Sequence, residues 1–390
     1  MKKLVILAAA VIALGAGLAQ PAQAAITSTS QVDHWGAFFG RSSATDRTTS
    51  PASFTFPAPV AELGTSNSTQ YALLTNGTLW AWGQGTNGQL GNGTEVNSFT
   101  TPVQVQFPPG VTIASIPSDA MPYDTALAVD TTGGVWGWGL NLRGELCLGT
   151  TTSYDAPQLL PLPDVTALAG ANGHAVYDAA GTVYSCGEDI DGVLGNGTKG
   201  TANDSSVPVA VTGLPAGVGV TALVSAFDND GALMANGAYY DWGMNTAGQL
   251  GTGSKSYCST VPVQVTLPAD VSQVAEGGSN AQNGQTLVML TTGAMYAWGS
   301  DSSYQLGNGA TAAKFTPIPL VPPARVTYSV LATGGATSYA LTGSGQVYAW
   351  GLGTNGQIGN GKTVTESAPV MVDTGASMIS TTAYDVEVAG

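Results

Sequence analysis

The strongest constraint on this chain is a repeated pattern that opens on tyrosine and ends in a glycine-rich segment. Its two fullest copies, residues 71–93 and 339–361, share Tyr-Ala-Leu, an aromatic-Ala-Trp-Gly segment and a Thr-Asn-Gly-Gln-Leu/Ile-Gly-Asn-Gly run. Equivalent anchors occur at Trp35-Gly36, Trp138-Gly139, Cys186-Gly187, Trp242-Gly243 and Trp298-Gly299. Successive anchors lie 47 to 56 residues apart. A period of this length predicts an array of similar supersecondary units that bury their apolar faces against one another.

Each repeat has the features of four short antiparallel strands. Two alternating apolar runs, residues 71–75 and 78–82, flank Asn76-Gly77, a strong hairpin signal because a type I′ turn needs positive φ at both central residues. A glycine-rich loop follows, and then a strand led by proline, such as residues 102–105. Proline cannot donate to a neighbouring strand, so this strand is expected at the outer edge. With an inner strand such as residues 165–169, the unit predicts a β-propeller blade.

The two ends of the chain complete one further blade. Residues 383–390 align with a second strand that stops at its turn glycine, and residues 31–36 align with the third strand that would follow that turn. We therefore predict an all-β, seven-bladed propeller of four-stranded antiparallel blades. Six internal repeats and one split repeat occupy residues 25–390, and the split blade closes the ring.

The segment Trp-Gly-x-Asn-x-x-Gly-Gln-Leu-Gly-x-Gly resembles the repeat of the regulator of chromosome condensation family, most fully at residues 82–93, 242–253 and 350–361. This resemblance implies the propeller fold. The eukaryotic founder of the family is a nuclear guanine-nucleotide exchange factor that docks on chromatin. Some propellers that are similar to this family are secreted by bacteria and cover a β-lactamase with one face. Their compartment matches the one expected for this chain. For this chain, the resemblance therefore favours protein binding over catalysis.

Residues 1–24 have the features of a secretory signal peptide. Lys2 and Lys3 precede an apolar run over residues 4–18, and residues 22–24 form an Ala-x-Ala cleavage site. The mature chain is expected to begin at Ala25 and to be secreted, extracellular or periplasmic, from a bacterium. No apolar run is long enough for a membrane span. Without the two lysines, eight basic residues face 25 acidic residues, a formal charge of −17. This charge argues against nucleic acid and anionic membranes as partners.

The three cysteines, Cys147, Cys186 and Cys258, allow at most one internal disulfide and leave one thiol unpaired. Cys186 stands where the other repeats have their tryptophan, and a buried thiol there is expected to act as a small apolar side chain. Cys147 and Cys258 are expected in loops with fewer constraints.

A partner is expected to dock on the loops that join the first to the second strand of each blade. These loops differ from repeat to repeat, as binding loops on a rigid scaffold do. The candidate partner-binding residues around the central channel are Tyr123, Asp124, His174, Phe227, Asp228, Asp230 and Tyr384. Aromatic rings beside carboxylates suit a protein partner with a basic patch. The alternative is that these Asp and Asn side chains only bond their own backbone, with His174 in a structural hydrogen bond.

No catalytic motif, cofactor site or metal site is predicted, and the chain is expected to be monomeric and not an enzyme. The Gly-x-Gly-x-x-Gly segments at residues 83–88 and 351–356 belong to the repeat and lead to more glycine, not to a helix that could bind a dinucleotide. Weak calcium binding through Asp189 and Asp191, or through Asp228 and Asp230, stays open. The alternative functions are a regulator resembling the exchange factor and a carbohydrate-binding or lyase propeller.

Overall fold

The computed structural model describes residues 31–37, 47–66, 69–117, 121, 124–162, 164–280, 282–381 and 385–390. Within these ranges, 28 strands form seven antiparallel sheets of four strands each. The first strands of neighbouring sheets contact one another, β11 with β15, β15 with β19, β19 with β23, β23 with β27 and β27 with β3. The sheets are therefore the blades of a propeller, with their first strands innermost, and the predicted fold class is confirmed.

The blades are numbered along the chain, and their strands run from the inside outward. Blade 1 consists of β3 (Val60–Ser66), β4 (Thr69–Leu74), β5 (Leu79–Gly83) and β6 (Ser98–Gln104). Blade 2 consists of β7 (Ile113–Ser115), β8 (Thr125–Asp130), β9 (Val135–Gly139) and β10 (Tyr154–Leu159). Blade 3 consists of β11 (Val165–Ala171), β12 (His174–Ala179), β13 (Thr182–Gly187) and β14 (Ser205–Ala210), with a short 3₁₀ helix, Thr201–Asn203, before β14.

Blades 4 to 6 have the same order. Blade 4 consists of β15 (Val220–Ala226), β16 (Asn229–Met234), β17 (Tyr239–Met244) and β18 (Cys258–Gln264). Blade 5 consists of β19 (Val271–Gly277), β20 (Gln285–Leu290), β21 (Met295–Gly299) and β22 (Lys314–Leu320). Blade 6 consists of β23 (Tyr328–Thr333), β24 (Thr337–Thr342), β25 (Gln346–Gly351) and β26 (Glu366–Thr374).

Blade 7 joins the two ends of the chain, as predicted from the sequence. Its inner strands are β27 (Met378–Thr381) and β28 (Asp385–Ala389), and its outer strands are β1 (Gln31–Ala37) and β2 (Arg47–Thr55). The register between β28 and β1 pairs Val386 with Trp35 and Glu387 with His34. Backbone hydrogen bonds between the two ends therefore hold the ring closed.

The tryptophan of the repeat fills the interface between two blades. Trp35, Trp82, Trp138, Trp242, Trp298 and Trp350 are all fully buried. The indole Nε1 of Trp138 donates to the carbonyl of Gln89 in blade 1 over 2.9 Å. Equivalent bonds run from Trp242 to Val193, from Trp298 to Gln249, from Trp350 to Gln305 and from Trp35 to Gln357. Each of these blades is thus tied to the preceding one by a ring and a hydrogen bond.

The interface between blades 2 and 3 is different, and here two predictions about the cysteines are wrong. Cys186 is not a buried thiol, because its sulfur forms a disulfide with Cys147. Cys147 is not weakly constrained, because it is buried in the same core. It occupies the glycine position of the repeat with a φ of 56°, while Cys186 occupies the tryptophan position. Cys258 has the one unpaired thiol that three cysteines require, but it begins strand β18, so the prediction that it lies in a loop is wrong.

Candidate functional site

The candidate site is the face of the propeller that carries two sets of loops, called here the loop face. Because neighbouring strands of a blade are antiparallel, the loops after the first and the third strand leave from the same end. The third-to-fourth loops of blades 1 to 6 span residues 84–97, 140–153, 188–204, 245–257, 300–313 and 352–365. The tight turns between second and third strands, such as residues 75–78, lie on the opposite face.

The third-to-fourth loops are held by their own side chains and by the next blade. The amide of Asn245 donates to the carbonyls of Ser254 and Ser256, both over 3.0 Å. The side-chain oxygen of Gln249 accepts from the backbone N–H of Ala247 over 2.8 Å, and the N–H of Gly253 donates to Phe315 in blade 5. The loops are therefore bonded parts of the scaffold, with defined tips.

Two of the predicted residues, His174 and Asp230, meet between blades 3 and 4. His174 begins β12, and its Nε2 lies 3.1 Å from the Oδ1 of Asp230 and 3.1 Å from the Oγ of Ser225. All three side chains are fully buried. Burial lowers the pKa of His174, but the charge of Asp230 and its hydrogen bond outweigh that effect, so the pKa lies above its usual value. The hydrogen bond between His174 and Asp230 is the structural role that was predicted as the alternative to partner binding by His174.

Asp228 lies nearer the surface and belongs to a second group of contacts. The amide of Asn172 donates to Asp228 over 2.9 Å and lies 3.4 Å from Glu188. Glu188 also contacts the guanidinium of Arg143 at 3.4 Å, and the same guanidinium contacts Asp204 at 3.3 Å. Burial raises the pKa of Asp228 to about 6. Blades 2, 3 and 4 thus share one charged cluster at this face.

Behind this cluster lies a buried group of acids that the sequence analysis did not select. Asp241, on β17, is fully buried beside the carboxyls of Glu276 and Asp230. Burial raises the pKa of Asp241 well above its usual value, and the neighbouring carboxylates raise it further. The phenol of Tyr239 donates to Glu276. A carboxyl in this position is best accommodated as the protonated acid, which can donate to its neighbour.

The remaining predicted residues are dispersed. Asp124 is buried at the interface of blades 1 and 2, where it accepts from the amide of Asn87 over 2.8 Å. Phe227 is half-buried in the turn before β16. Tyr123 and Tyr384 lie outside the described residues. The structure therefore brings His174 and Asp230 together and places Asp228 in the second group of contacts, and docking by the whole ring stays a prediction.

The sequence contains a signal for the buried acid Asp241, and it appears when the repeats are aligned. Asp241 stands where Ala81, Ala297 and Ala349 stand in other blades, so a charged side chain replaces a buried alanine. The partner acid, Glu276, is the second-last residue of the inner strand of the next blade. In the part of the chain that the structure describes, no three His, Cys, Asp or Glu side chains are arranged to hold a metal ion. The oxygens of Asp189 accept from the N–H of Leu194 and the hydroxyl of Thr198.

Models of known families agree with this architecture. The model of the regulator of chromosome condensation (RCC1) repeat matches residues 76–117, 180–226, 236–281, 292–341 and 344–383, and a second model of that repeat matches residues 330–357. These segments cover more than half of the chain. It belongs to the RCC1 repeat family. In this RCC1 propeller, no helix of the described ranges is long and apolar enough to cross a membrane.

Three curated relatives differ in the share of their length that this chain matches. The chain is 28% identical over 300 residues to the ultraviolet-B receptor UVR8 of Arabidopsis thaliana, covering 76% of this chain and 65% of UVR8. It is 28% identical over 324 residues to the mitochondrial RCC1 domain-containing protein RUG3 of A. thaliana, covering 76% and 70% of the two chains. It is 27% identical over 324 residues to the human E3 ubiquitin-protein ligase HERC2, and the match covers 80% of this chain and 6% of HERC2.

Solved structures show the same fold. Human WBSCR16 superposes with a TM-score of 0.78 at 20% identity, over 92% of this chain and 98% of WBSCR16. Prp20p from Saccharomyces cerevisiae also superposes with a TM-score of 0.78 at 20% identity, over 93% and 92% of the two chains. These similarities support the seven-bladed architecture.

Proposed function

We propose that this chain is a secreted, non-catalytic protein-binding propeller, and that its loop face docks on a partner protein that carries a basic patch. The observation that carries the proposal is the uneven distribution of acids over that face. The third-to-fourth loop of blade 3, residues 188–204, has four acidic residues, whereas the loop of blade 1 has one and that of blade 6 has none. Clustered charge of one sign attracts a partner of the opposite sign and orients it during encounter.

The stiffness of the loop face supports the same function. Its third-to-fourth loops are bonded within themselves and to the outer strand of the next blade, as Gly149 is to Ser206 and Gly197 is to Thr260. A surface that keeps one shape loses little conformational entropy when it binds. Such a face suits recognition of a folded protein.

Members of the family that bind proteins give a second line of support. The structure of Prp20p was described together with its binding to Gsp1p and histones, and another structure shows yeast RCC1 bound to Kap60. The amino-terminal segment supports a different compartment for this chain. Lys2 and Lys3, the apolar run and the Ala-x-Ala site favour export and a mature start at Ala25.

The experiment is an affinity capture with the mature chain from Ala25 to Gly390 as immobilised bait. The bait is exposed to extracellular proteins of the source culture, and retained proteins are identified by mass spectrometry. Two variants add the same side chain on opposite faces, Leu142→Arg on the loop face and Thr291→Arg in the turn between β20 and β21. A partner of the loop face is retained by the wild type and by Thr291→Arg, and is lost from Leu142→Arg.

Two further measurements separate the parts of the proposal. The mass of the exported chain tests the start at Ala25, and light scattering tests the expected monomer. If both variants retain the same proteins as the wild type, the part of the loop face around Leu142 is not the docking surface. Binding to a glycan array without any protein partner would favour the carbohydrate alternative, and accelerated nucleotide release from a small GTPase would favour the exchange-factor alternative.

A further inference from the structure

Within the described residues, the third-to-fourth loops of blades 1 to 6 have equivalent positions at their tips, four residues after the anchor position of each repeat. These positions are Thr86, Leu142, Ile190, Thr246, Ser302 and Thr354, and all six are exposed. Four of them are hydroxyl-bearing, as expected for a solvated surface. Among these six described positions, the apolar side chains are on neighbouring blades, and 65% of Leu142 and 44% of Ile190 is exposed. Large apolar side chains that face solvent together indicate a contact surface.

An exposed aromatic ring extends this apolar region to blade 4. Tyr257 ends the third-to-fourth loop of that blade with 56% of its surface exposed. Its phenol interacts with the carboxylate of Asp191, next to Ile190, and this interaction raises the pKa of Tyr257 to about 12. This interaction relates the ring to the loop tip of blade 3, where Asp191 adjoins Ile190. Tyrosines at such positions offer a large apolar area together with one polar atom.

The same three blades carry carboxylates that form no ion pair in the described part of the chain. Arg143, beside Leu142, already lies across Glu188 and Asp204. Asp228 instead accepts from the neutral amide of Asn172, and Asp191 interacts with the phenol of Tyr257. Within the described residues, neither Asp191 nor Asp228 forms an ion pair. Asp228 also interacts electrostatically with the buried His174, so the sector combines partly compensated carboxylates with exposed apolar side chains.

We infer that this sector, called here the blade 2–4 sector and defined by Leu142, Ile190, Tyr257, Asp191 and Asp228, binds a segment of a partner protein in which a lysine or arginine adjoins an apolar side chain. The inference rests on the proposed function and specifies which part of the loop face is used. The apolar side chain packs between Leu142, Ile190 and Tyr257. The long basic side chain extends toward the recessed carboxylates of Asp191 and Asp228.

The arrangement of Arg143 shows that a basic side chain from one loop can join two carboxylates of blade 3. A flexible chain of methylenes lets a charged head reach recessed acids while its stem covers apolar surface. Specificity then comes from the combination, because a purely apolar segment leaves the carboxylates unpaired and a purely basic one leaves the apolar tips uncovered.

The test uses random peptides displayed on phage, selected for binding to the immobilised wild-type chain. Three variants are compared with wild type in the affinity of the selected peptides. Leu142→Asp with Ile190→Asp changes the apolar tips of the sector, and Thr86→Asp with Thr354→Asp makes the same change at the equivalent tips of blades 1 and 6. Asp191→Asn removes one charge and keeps the shape. Thermal unfolding confirms that each variant is folded.

The expected peptides contain lysine or arginine next to an apolar residue. Their affinity falls about tenfold or more on the variant of Leu142 and Ile190, falls severalfold with Asp191→Asn, and changes less than about twofold on the variant of Thr86 and Thr354. Equal losses on both double variants, or selected peptides without basic residues, overturn the sector assignment and leave the loop face as docking surface. Peptides that tolerate all three variants overturn both the sector and the proposed function.

Discussion

The disulfide between Cys147 and Cys186 occupies the place that a tryptophan and a glycine share at other blade interfaces. In blade 5, the indole of Trp298 lies against Gly251 and donates to the carbonyl of Gln249. At the interface of blades 2 and 3, Cys147 replaces the glycine and Cys186 replaces the tryptophan, with Cα atoms 5.6 Å apart. A covalent bond thus takes over the role of ring packing and a hydrogen bond. Because a disulfide needs both cysteines, neither substitution alone replaces the contact between tryptophan and glycine.

We expect loss of this disulfide to lower the free energy of unfolding. The bond closes a segment of 39 residues, for which the chain-entropy relation gives about 2–4 kcal/mol. Cys147→Ser, Cys186→Ser and treatment with a reductant should each lower the melting temperature. The double variant Cys147→Gly with Cys186→Trp rebuilds the arrangement of the other interfaces, so reductant should leave its melting temperature unchanged. Cys258→Ser is the control, and a wild type insensitive to reductant would refute the assignment.

The contact between glycine and tryptophan gives a second prediction. Gly307 and Gly309 both have positive φ, 67° and 72°, so alanine at either position costs about 1–2 kcal/mol in backbone energy. A Cβ on Gly307 would lie 2.9 Å from the Nε1 of Trp350, whereas a Cβ on Gly309 would meet nothing within 4 Å. Gly307→Ala should therefore lose about 1–3 kcal/mol more than Gly309→Ala in chemical unfolding. Equal losses of stability in the two variants would show that Trp350 moves away from the added methyl group at no cost in free energy.

Sequence periodicity was sufficient for the blades but not for the contacts between them. The turn at Asn76-Gly77 and the split blade could be predicted because strand order repeats within each unit. The bonds from His174 to Asp230 and from Cys147 to Cys186 join residues of different blades, and a single repeat contains no information about its neighbour's side chains. Aligning each anchor with the glycine of the preceding repeat would have paired the two cysteines.

The buried titratable groups predict that stability falls as pH rises from 5 to 8. Burial raises the pKa of Asp228 to about 6 and that of Glu145 to about 7, and the pKa of His174 lies above its usual 6.5. In all three cases the folded state binds more protons than the unfolded state in this window, so the free energy of unfolding decreases with pH. The pKa of Asp130 is lowered because its hydrogen bonds to Thr132, Trp136 and Gly134 outweigh its burial. Asp130 therefore makes the free energy of unfolding increase with pH, but only below about pH 4.

Melting temperatures at pH 5, 6, 7 and 8, at constant ionic strength, check this expectation. The highest value should be found at the acidic end of the window. A melting temperature that rises between pH 5 and 8 would mean that the acids of the loop face are ionised in the folded state at little cost.

Glu145 provides the most direct test of this electrostatic cost, because it stands where other repeats have glutamine. Its Oε2 accepts from the N–H of Arg143 over 2.9 Å, as the amide oxygen of Gln89 does from Asn87 over 2.8 Å. Its other oxygen, Oε1, is buried without a hydrogen-bond partner. Glu145→Gln keeps the accepting oxygen and removes the charge that burial disfavours. The variant should therefore gain about 2 kcal/mol at pH 8 and little at pH 5, where the wild-type acid is already protonated. Glu95→Gln, in the exposed part of the equivalent loop of blade 1, should change stability at neither pH, and an equal gain in the two variants would contradict a cost specific to burial.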